Sequence, residues 1–200
     1  MHIQDIKTVF ICPDHNPKYS ARKIHMESLL HTLGFKDVTH YKSGTEKYPD
    51  CLSLATIDIL KTNLEVPVLI LEDDVEFTGI EEFAMDTTAD AIYFGLSKSA
   101  GSKTCNSDQG SSQFEQWSFT QSRVMNMLSA HAILYISPKY KQAVIDTLQA
   151  HIGQNYYNDV LISRLQPGFL ILANKKPSFY QSHRFNSGIH EELYTKFELI

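Results

Sequence analysis

The chain has 200 residues, 42% of them hydrophobic and 11% aromatic, and a formal net charge of −5 at pH 7. This length suits a single domain over residues 1–200, and the hydrophobic content is enough for a sizeable core. The 18 Lys and Arg residues are scattered, so the basic field that nucleic-acid binding needs is missing. The N-terminal segment MHIQDIK lacks the features of a signal peptide, and no apolar run approaches the ~20 residues of a membrane helix. We expect a cytoplasmic protein.

The cysteines argue against a zinc site. Cys12, Cys51 and Cys105 stand at unrelated spacings and form no CxxC pair. We expect Cys12 and Cys51 to be reduced packing residues, which agrees with a reducing compartment.

In chain order, strand patterns alternate with helix patterns. The predicted strands are Lys7–Cys12, Lys36–Tyr41, a central run opened by Pro67, Ala89–Leu96, His131–Ile136 and Phe169–Leu172. The predicted helices are Pro17 to about Gly34 with Asn16 as N-cap, Cys51–Leu64, Pro138 to about Ala150 with Ser137 as N-cap, and about Tyr157–Leu165. This alternation predicts an α/β fold, an α/β/α sandwich around a mainly parallel mixed sheet. Neither GxGxxG nor a P-loop motif occurs.

Two polar stretches fall outside this pattern. Ser97–Gln116 is too long for an ordinary connection, and it is predicted to be a lid, a binding loop or disordered. The tail from Lys175 onward is predicted to be irregular.

The central strand ends in three carboxylates. The apolar run Val68–Leu71 is followed at once by Glu72, Asp73 and Asp74. Like charges at the end of a buried strand repel one another, and desolvation penalises each of them. A divalent cation removes that penalty, and oxygen ligands suit Mg²⁺ or Mn²⁺. The sequence therefore predicts a metal–diphosphate site, with an exposed acidic turn as the simpler alternative.

An ordered set of motifs resembles glycosyltransferase family 25, the lipopolysaccharide-type enzymes of GT-A fold. The motifs are LILEDDV at Leu69–Val75, Cys51–Leu54 with Ile59–Lys61, Tyr93–Gly95, Ala130–Ser137, Asn158–Leu161, and Pro177 with Gln181. The chain departs from the family pattern at Leu54 and Ala55, where the family has Ser-His, and at Leu134. It is also short, as in a minimal viral or bacterial member.

The resemblance implies a nucleotide-sugar donor, with a UDP-sugar favoured, bound through Mn²⁺ or Mg²⁺. Asp74 and Glu72 are then metal ligands, and His183 is preferred over His190 as a further ligand. The donor contacts are Pro13, Asp14, Arg22, Glu72 and Asp73. Capping of the first helix by Asn16 and a solvated Arg22 are the structural alternatives.

The resemblance also implies an inverting reaction with Asp159 as the general base for a glycan or lipopolysaccharide-like acceptor. A carboxylate at a helix start is equally explained by capping. Asp108 and Glu115 are alternative bases. Trp117 and Phe119 are either a platform for a sugar ring or core residues.

Other functions remain open on the sequence alone. A nucleotidyltransferase or a metal-dependent phosphoesterase also gathers acids at strand ends, although a phosphoesterase usually needs more His and Asp clusters than this chain has. An inactive carbohydrate-binding or nucleotide-binding domain on the same fold is the non-enzymatic alternative.

Overall fold

The computed structural model describes residues 2–97, 112–182, 184 and 185. Its strands are β1 Lys7–Ile11, β2 Val38–Tyr41, β3 Val68–Glu72, β4 Val75–Phe77, β5 Ala91–Tyr93, β6 Gln113–Gln116, β7 Gln121–Met125, β8 Ala132–Tyr135, β9 Ile171–Asn174 and β10 Phe179–Gln181. Its helices are α1 Pro17–Thr32, α2 Asp50–Thr62, α3 Pro138–Ala150 and α4 Asn158–Ser163. None of the helices within these ranges has the length and apolar character needed to cross a membrane.

The described strands form one large mixed sheet and a small two-stranded sheet. The order in the large sheet is β2-β1-β3-β8-β5-β9-β7-β6, and β4 pairs with β10 in the small one. Strands β1, β2 and β3 are parallel, as are β5 and β9, whereas β8 and β7 run against their neighbours. Most strands of the large sheet therefore share one direction, which confirms the predicted mixed α/β class. The acids at the end of β3 and the start of α1 after β1 meet at the same edge, where open α/β sheets bind ligands.

The helices cover both faces of the sheet. On one face α2, α3 and α4 pack against alternate residues of the strands, including Val9 and Ile70. On the other face α1 contributes Met26 and Leu30, which pack with Leu69. Strand β3 is apolar on both faces because each face is covered, and this explains its uninterrupted run of Val, Leu and Ile.

Local capping agrees with the sequence. The Asn16 side chain accepts a hydrogen bond from the Lys18 N–H (3.1 Å), and Pro17 opens α1. The Ser137 side chain accepts one from the Tyr140 N–H (3.2 Å) at the start of α3. Gly34, with φ of +76°, follows the end of α1.

Four short strands were not predicted, namely β4, β6, β7 and β10. Residues 113–116 form β6, which pairs with β7, so only residues 98–111 of the predicted polar loop lie outside the described part. The expectation of an irregular tail is wrong for β10, which pairs with β4. The reason is common to these strands: they are short or polar, and their partners, not their own periodicity, fix them in an extended conformation. The single domain and the cytoplasmic location stay predictions.

Candidate functional site

The acidic residues stand where the large sheet passes into the small one. Glu72 is the last residue of β3. Its N–H donates to the carbonyl of His131 (3.0 Å), the residue that precedes β8. Asp73 and Asp74 form the turn into β4 and are 7% and 5% exposed. The motif is therefore buried and held by backbone hydrogen bonds, which excludes the alternative of an exposed acidic turn.

Gln181 joins two of the three carboxylates. Its Nε2 donates to Glu72 Oε2 (2.8 Å) and lies 3.3 and 3.4 Å from the two carboxylate oxygens of Asp74. Gln181 is the last residue of β10 and lies opposite Val75, so the pairing of β10 with β4 brings the amide to the acids. The Ser182 N–H adds a bond to the Asp74 carbonyl (3.0 Å).

Asp73 faces the other way, towards α1. Its Oδ1 accepts a hydrogen bond from Arg22 Nη1 (2.8 Å), and Arg22 Nη2 donates to the carbonyl of Phe185. The guanidinium lies between the rings of Tyr19 and Phe185, 5.7 and 5.8 Å from their centroids. Arg22 is thus fixed in the site, which argues against the solvated alternative.

The second oxygen of Asp73 has no hydrogen-bond partner among the described residues, although it is buried. The Cys12 thiol is close enough that Asp73 contributes, after burial, to raising the pKa of that thiol. Cys12 Sγ nevertheless directs its hydrogen bonds to the carbonyls of Pro13 (3.4 Å) and Tyr19 (3.6 Å). Asp73 Oδ2 therefore remains an unsatisfied acceptor beside the other two acids.

Burial and mutual repulsion disfavour the charged forms of these acids. Desolvation raises the pKa of Glu72 well above its usual value, and Asp74, Asp159 and Asp73 raise it further. Desolvation, with a smaller contribution from Asp73, raises the pKa of Asp74 to about 6. Hydrogen bonding from Gln181 and the charge of Arg22 offset part of the shift for Asp74. The cluster consequently gains free energy from any added positive charge.

A cleft of about 650 Å³ opens over these groups. Its volume falls within the usual range for small-molecule sites. Its walls come from the end of β1, the first turns of α1, residues 43–48, the start of α2 and the acid motif, and its lining includes Pro13, Lys18, Tyr19, Arg22, Tyr48, Glu72, Asp73, Asp74, Gln181 and Phe185. The structure thus brings five of the residues predicted to bind donor or metal into one cavity.

Asp14 is the predicted donor contact that does not line this cleft. It is exposed and forms an ion pair with Lys42 (2.8 Å). Asp14 instead lines a smaller cavity of about 300 Å³ beside α1, which includes Lys23 and Ile24. The loop after β1 turns Pro13 inward and Asp14 outward, an orientation that sequence spacing does not reveal.

Asp159 lies at the start of α4, near Glu72. Tyr157 is the N-cap of α4 and makes no side-chain capping bond, while Asp159 Oδ1 accepts from the Val160 N–H (2.8 Å) within the first turn. Desolvation raises the pKa of Asp159 to about 6, and the charge of Asp159 in turn raises the pKa of Glu72. A pure cap would be expected at the N-cap position with a normal or lowered pKa.

A buried amide fixes this helix start. Asn158 accepts a hydrogen bond from the Ser53 hydroxyl and donates to Thr56 Oγ1 (3.2 Å), both on α2. The beginning of α2 also lines the cleft through Cys51 and Leu52. The position of Asp159 is therefore coupled to the wall of the cleft.

The aromatic pair predicted as a sugar platform lies outside the cleft lining. Trp117 and Phe119 belong to the turn between β6 and β7, and they are 46% and 92% exposed, so neither is a core residue. Trp117 Nε1 donates to Asp86 Oδ2 (3.0 Å). Glu115 is exposed on β6, whereas Asp108, His183 and His190 lie outside the described residues.

The residues present fit a hard divalent cation. Glu72 and Asp74 converge on one point, now taken by the Gln181 amide nitrogen, and Asp73 Oδ2 is an unsatisfied buried oxygen. Carboxylate oxygens are the ligands that Mg²⁺ and Mn²⁺ prefer. Within the described ranges, however, no group of three or more His, Cys, Asp or Glu side chains is already placed to hold a metal together, and the Asp73 carboxylate is paired with Arg22.

Sequence reasoning missed several residues of the cleft. Tyr19, Tyr48 and the 43–46 segment gave no signal, and Gln181 entered only through the family resemblance. The aromatic residues Phe179 and Tyr180, a type enriched in strands, were the available sign of a strand that could carry Gln181 back to the site.

Comparison with known proteins adds a distant likeness. No family model matches the chain, and no curated protein matches it. Among solved structures, the chain is similar to the nucleoside-diphosphate-sugar pyrophosphorylase from Vibrio cholerae RC9, with 13% identity over 82% of this chain and 70% of that chain and a TM-score of 0.43. The similarity to glycosyltransferase family 25 therefore remains a resemblance of motifs.

Proposed function

We propose that this protein is a metal-dependent glycosyltransferase that moves a sugar from a nucleotide-sugar donor, with a UDP-sugar favoured, to a glycan or other hydroxyl acceptor. The observation that carries the proposal is the cluster of Glu72, Asp73 and Asp74, with the last two buried and Glu72 partly buried, in the lining of a cleft of about 650 Å³. Burial of three acids is unfavourable without a counter-charge, and a cation with a diphosphate supplies both the charge and a ligand for it.

The cleft residues divide into a charged floor and an aromatic wall. Arg22 is held at the floor by Asp73, and Lys18 lines the same cleft, so both supply positive charge near a diphosphate. Tyr19 and Tyr48 give flat surfaces on which a nucleoside can pack. The N-terminus of α1 faces the same edge and favours an anion.

Glu72 and Asp74 are the proposed metal ligands, with His183 as a further ligand that the described residues do not include. A bound Mn²⁺ or Mg²⁺ would act as a Lewis acid on the departing diphosphate. Burial of Asp73 and Asp74 keeps water from the floor of the site, which strengthens each electrostatic contact made there.

Asp159 is the proposed general base. Its pKa of about 6 leaves it ionised at neutral pH, yet basic enough to take a proton from an acceptor hydroxyl. Its charge acts on Glu72, which lines the cleft, and Asn158 holds its helix against α2. The acceptor proposed here is a glycan, such as a lipopolysaccharide-like chain, and an inverting transfer needs only this one base.

Calorimetric titration tests the proposal directly. UDP-sugars and GDP-sugars are titrated with and without Mn²⁺ into the wild-type chain, Asp74→Ala, His183→Ala and the control Asp146→Ala, which removes an exposed acid on α3. We expect metal-dependent binding that Asp74→Ala abolishes and Asp146→Ala preserves. Binding without need of metal would contradict the proposal.

Product analysis separates the alternative activities. Transfer of the sugar releases a nucleoside diphosphate, whereas nucleotidyl transfer from a nucleotide sugar to pyrophosphate yields a nucleoside triphosphate and a sugar 1-phosphate. Binding with no turnover for any acceptor would assign an inactive binding domain.

A further inference from the structure

Gln181 occupies the point on which two acids of the cluster converge. Its Nε2 reaches Glu72 Oε2 at 2.8 Å and both carboxylate oxygens of Asp74 at 3.3 and 3.4 Å. The two amide hydrogens carry partial positive charge, so they draw together carboxylates that would otherwise repel. The amide nitrogen thus does, weakly, what a cation would do at the same place.

The backbone holds Gln181 at this point from both sides. Gln181 is paired with Val75 across the small sheet, and the next residue, Ser182, donates its N–H to the Asp74 carbonyl at 3.0 Å. The neighbouring pair, Tyr180 and Glu76, adds a side-chain hydrogen bond of 2.7 Å. Because the backbone is fixed, the end of the Gln181 side chain stays within reach of the acids whichever way the amide faces.

The amide can present either of two groups to that point. The terminal torsion of a Gln side chain joins sp³ and sp² carbons and has a low barrier. A rotation of about 180° about this torsion therefore exchanges the positions of Nε2 and Oε1. Nε2 suits two carboxylates with no cation between them. Oε1 suits a hard cation, because amide oxygens are ordinary ligands of such ions.

We propose that Gln181 is part of the cation site itself: its amide nitrogen bridges Glu72 and Asp74 in the metal-free protein, and its amide oxygen becomes a neutral ligand when Mg²⁺ or Mn²⁺ binds. This inference rests on the proposed function only in taking the acid cluster as the cation site. The turn of the amide supplies a third protein oxygen while Asp73 stays paired with Arg22. Gln181 also tunes affinity, since a cation has to displace the two hydrogen-bonded contacts that the amide makes.

Gln181→Glu provides the sharpest test, with Mn²⁺ alone as the probe. In the metal-free variant a third carboxylate meets Glu72 and Asp74, so we expect a lower unfolding temperature than in the wild type. With saturating Mn²⁺ the same carboxylate becomes a ligand, so we expect the unfolding temperature to recover and the Mn²⁺ dissociation constant to fall at least tenfold.

The matched control is Gln142→Glu. Gln142 is exposed on α3, and its Nε2 also donates to a carboxylate, Asp146 Oδ1 (2.7 Å). This control adds the same charge beside the same kind of partner, at a residue that does not line the cleft. We expect no change in Mn²⁺ affinity for it.

Gln181→Met keeps the test decisive if the glutamate variant does not fold without metal. Methionine has a similar length but offers neither the donor nor the oxygen, so we expect Mn²⁺ binding to weaken about tenfold. An unchanged Mn²⁺ affinity in Gln181→Met, or a Gln181→Glu protein that Mn²⁺ does not restabilise, would overturn the inference. Titration with Mn²⁺ alone also separates this failure from that of the proposed function, which is decided by nucleotide-sugar binding and turnover.

Discussion

Replacing Asp159 by Asn is expected to make the protein more stable and less active at the same time. In the wild type, desolvation raises the pKa of Asp159 from 3.8 to about 6. Between these two pH values the native state retains a proton that the unfolded chain has released, so the stability of the native state falls as the pH rises through the window. Asn cannot ionise, and it retains an oxygen that can accept from the Val160 N–H.

The expected gain follows from the size of the shift. One pKa unit corresponds to about 1.4 kcal/mol, so a shift of about two units gives at most roughly 3 kcal/mol, and we expect about 2 kcal/mol because Asp159 keeps some contact with solvent. The gain should be fully developed above pH 6 and should vanish below pH 4. Loss of the negative charge beside Glu72 acts in the same direction.

Urea denaturation at several pH values measures the stability change, and steady-state kinetics measure the activity. A positioned general base contributes typically 10²–10⁴-fold, so transfer should fall by about that factor while donor binding is retained. The exposed Asp146→Asn serves as the control for both measurements. Equal stability of Asp159→Asn and wild type at pH 8 would refute the electrostatic reasoning, and undiminished transfer would remove Asp159 from the site. A raised acceptor KM with kcat retained would assign it to acceptor binding.

Three further outcomes are expected. Asp74→Ala should abolish Mn²⁺-dependent donor binding, and near-wild-type turnover of this variant would contradict the metal assignment. Its metal-free form should unfold at a temperature no lower than that of wild type, because one of the repelling buried charges is gone. Gly95→Ala should destabilise the fold by about 1–3 kcal/mol in urea titrations, since the new Cβ would lie 1.8 Å from Nε2 of the fully buried His131, whereas Gly168→Ala, with open space around it, should not. Burial lowers the pKa of His131 to about 4, so the native state cannot take up the proton that the unfolded chain binds below pH 6.5. Relative to a His131→Gln variant, wild type should lose about 3 kcal/mol as the pH falls from 6.5 to 4, and equal pH dependence of the two proteins would refute the assignment.

The local sequence determined those elements whose stabilising interactions join residues close together in the chain. Asn16 with Pro17 and Ser137 with Pro138 cap α1 and α3 as predicted, because a capping side chain bonds only a few residues away. The uninterrupted apolar run of β3 likewise predicted a strand buried on both faces and the acids that end it.

Tertiary structure decided how those acids are used. Asp73 meets Arg22 from 51 positions away, and Glu72 meets Gln181 from 109 positions away. Neither pairing has a periodicity or a cap to reveal it, since each depends on which strands and helices lie side by side.

The same limit applies to the short polar strands. Gln113–Gln116 is mostly polar and Phe179–Gln181 is only three residues long, and both become strands through ladders with β7 and β4. A buried strand that ends in charged residues can therefore be predicted from local sequence, because the apolar run and the acids that follow it are both visible there. The groups that neutralise, bridge and surround those charges are brought together only when distant segments pack, because their interactions exist in the folded state alone.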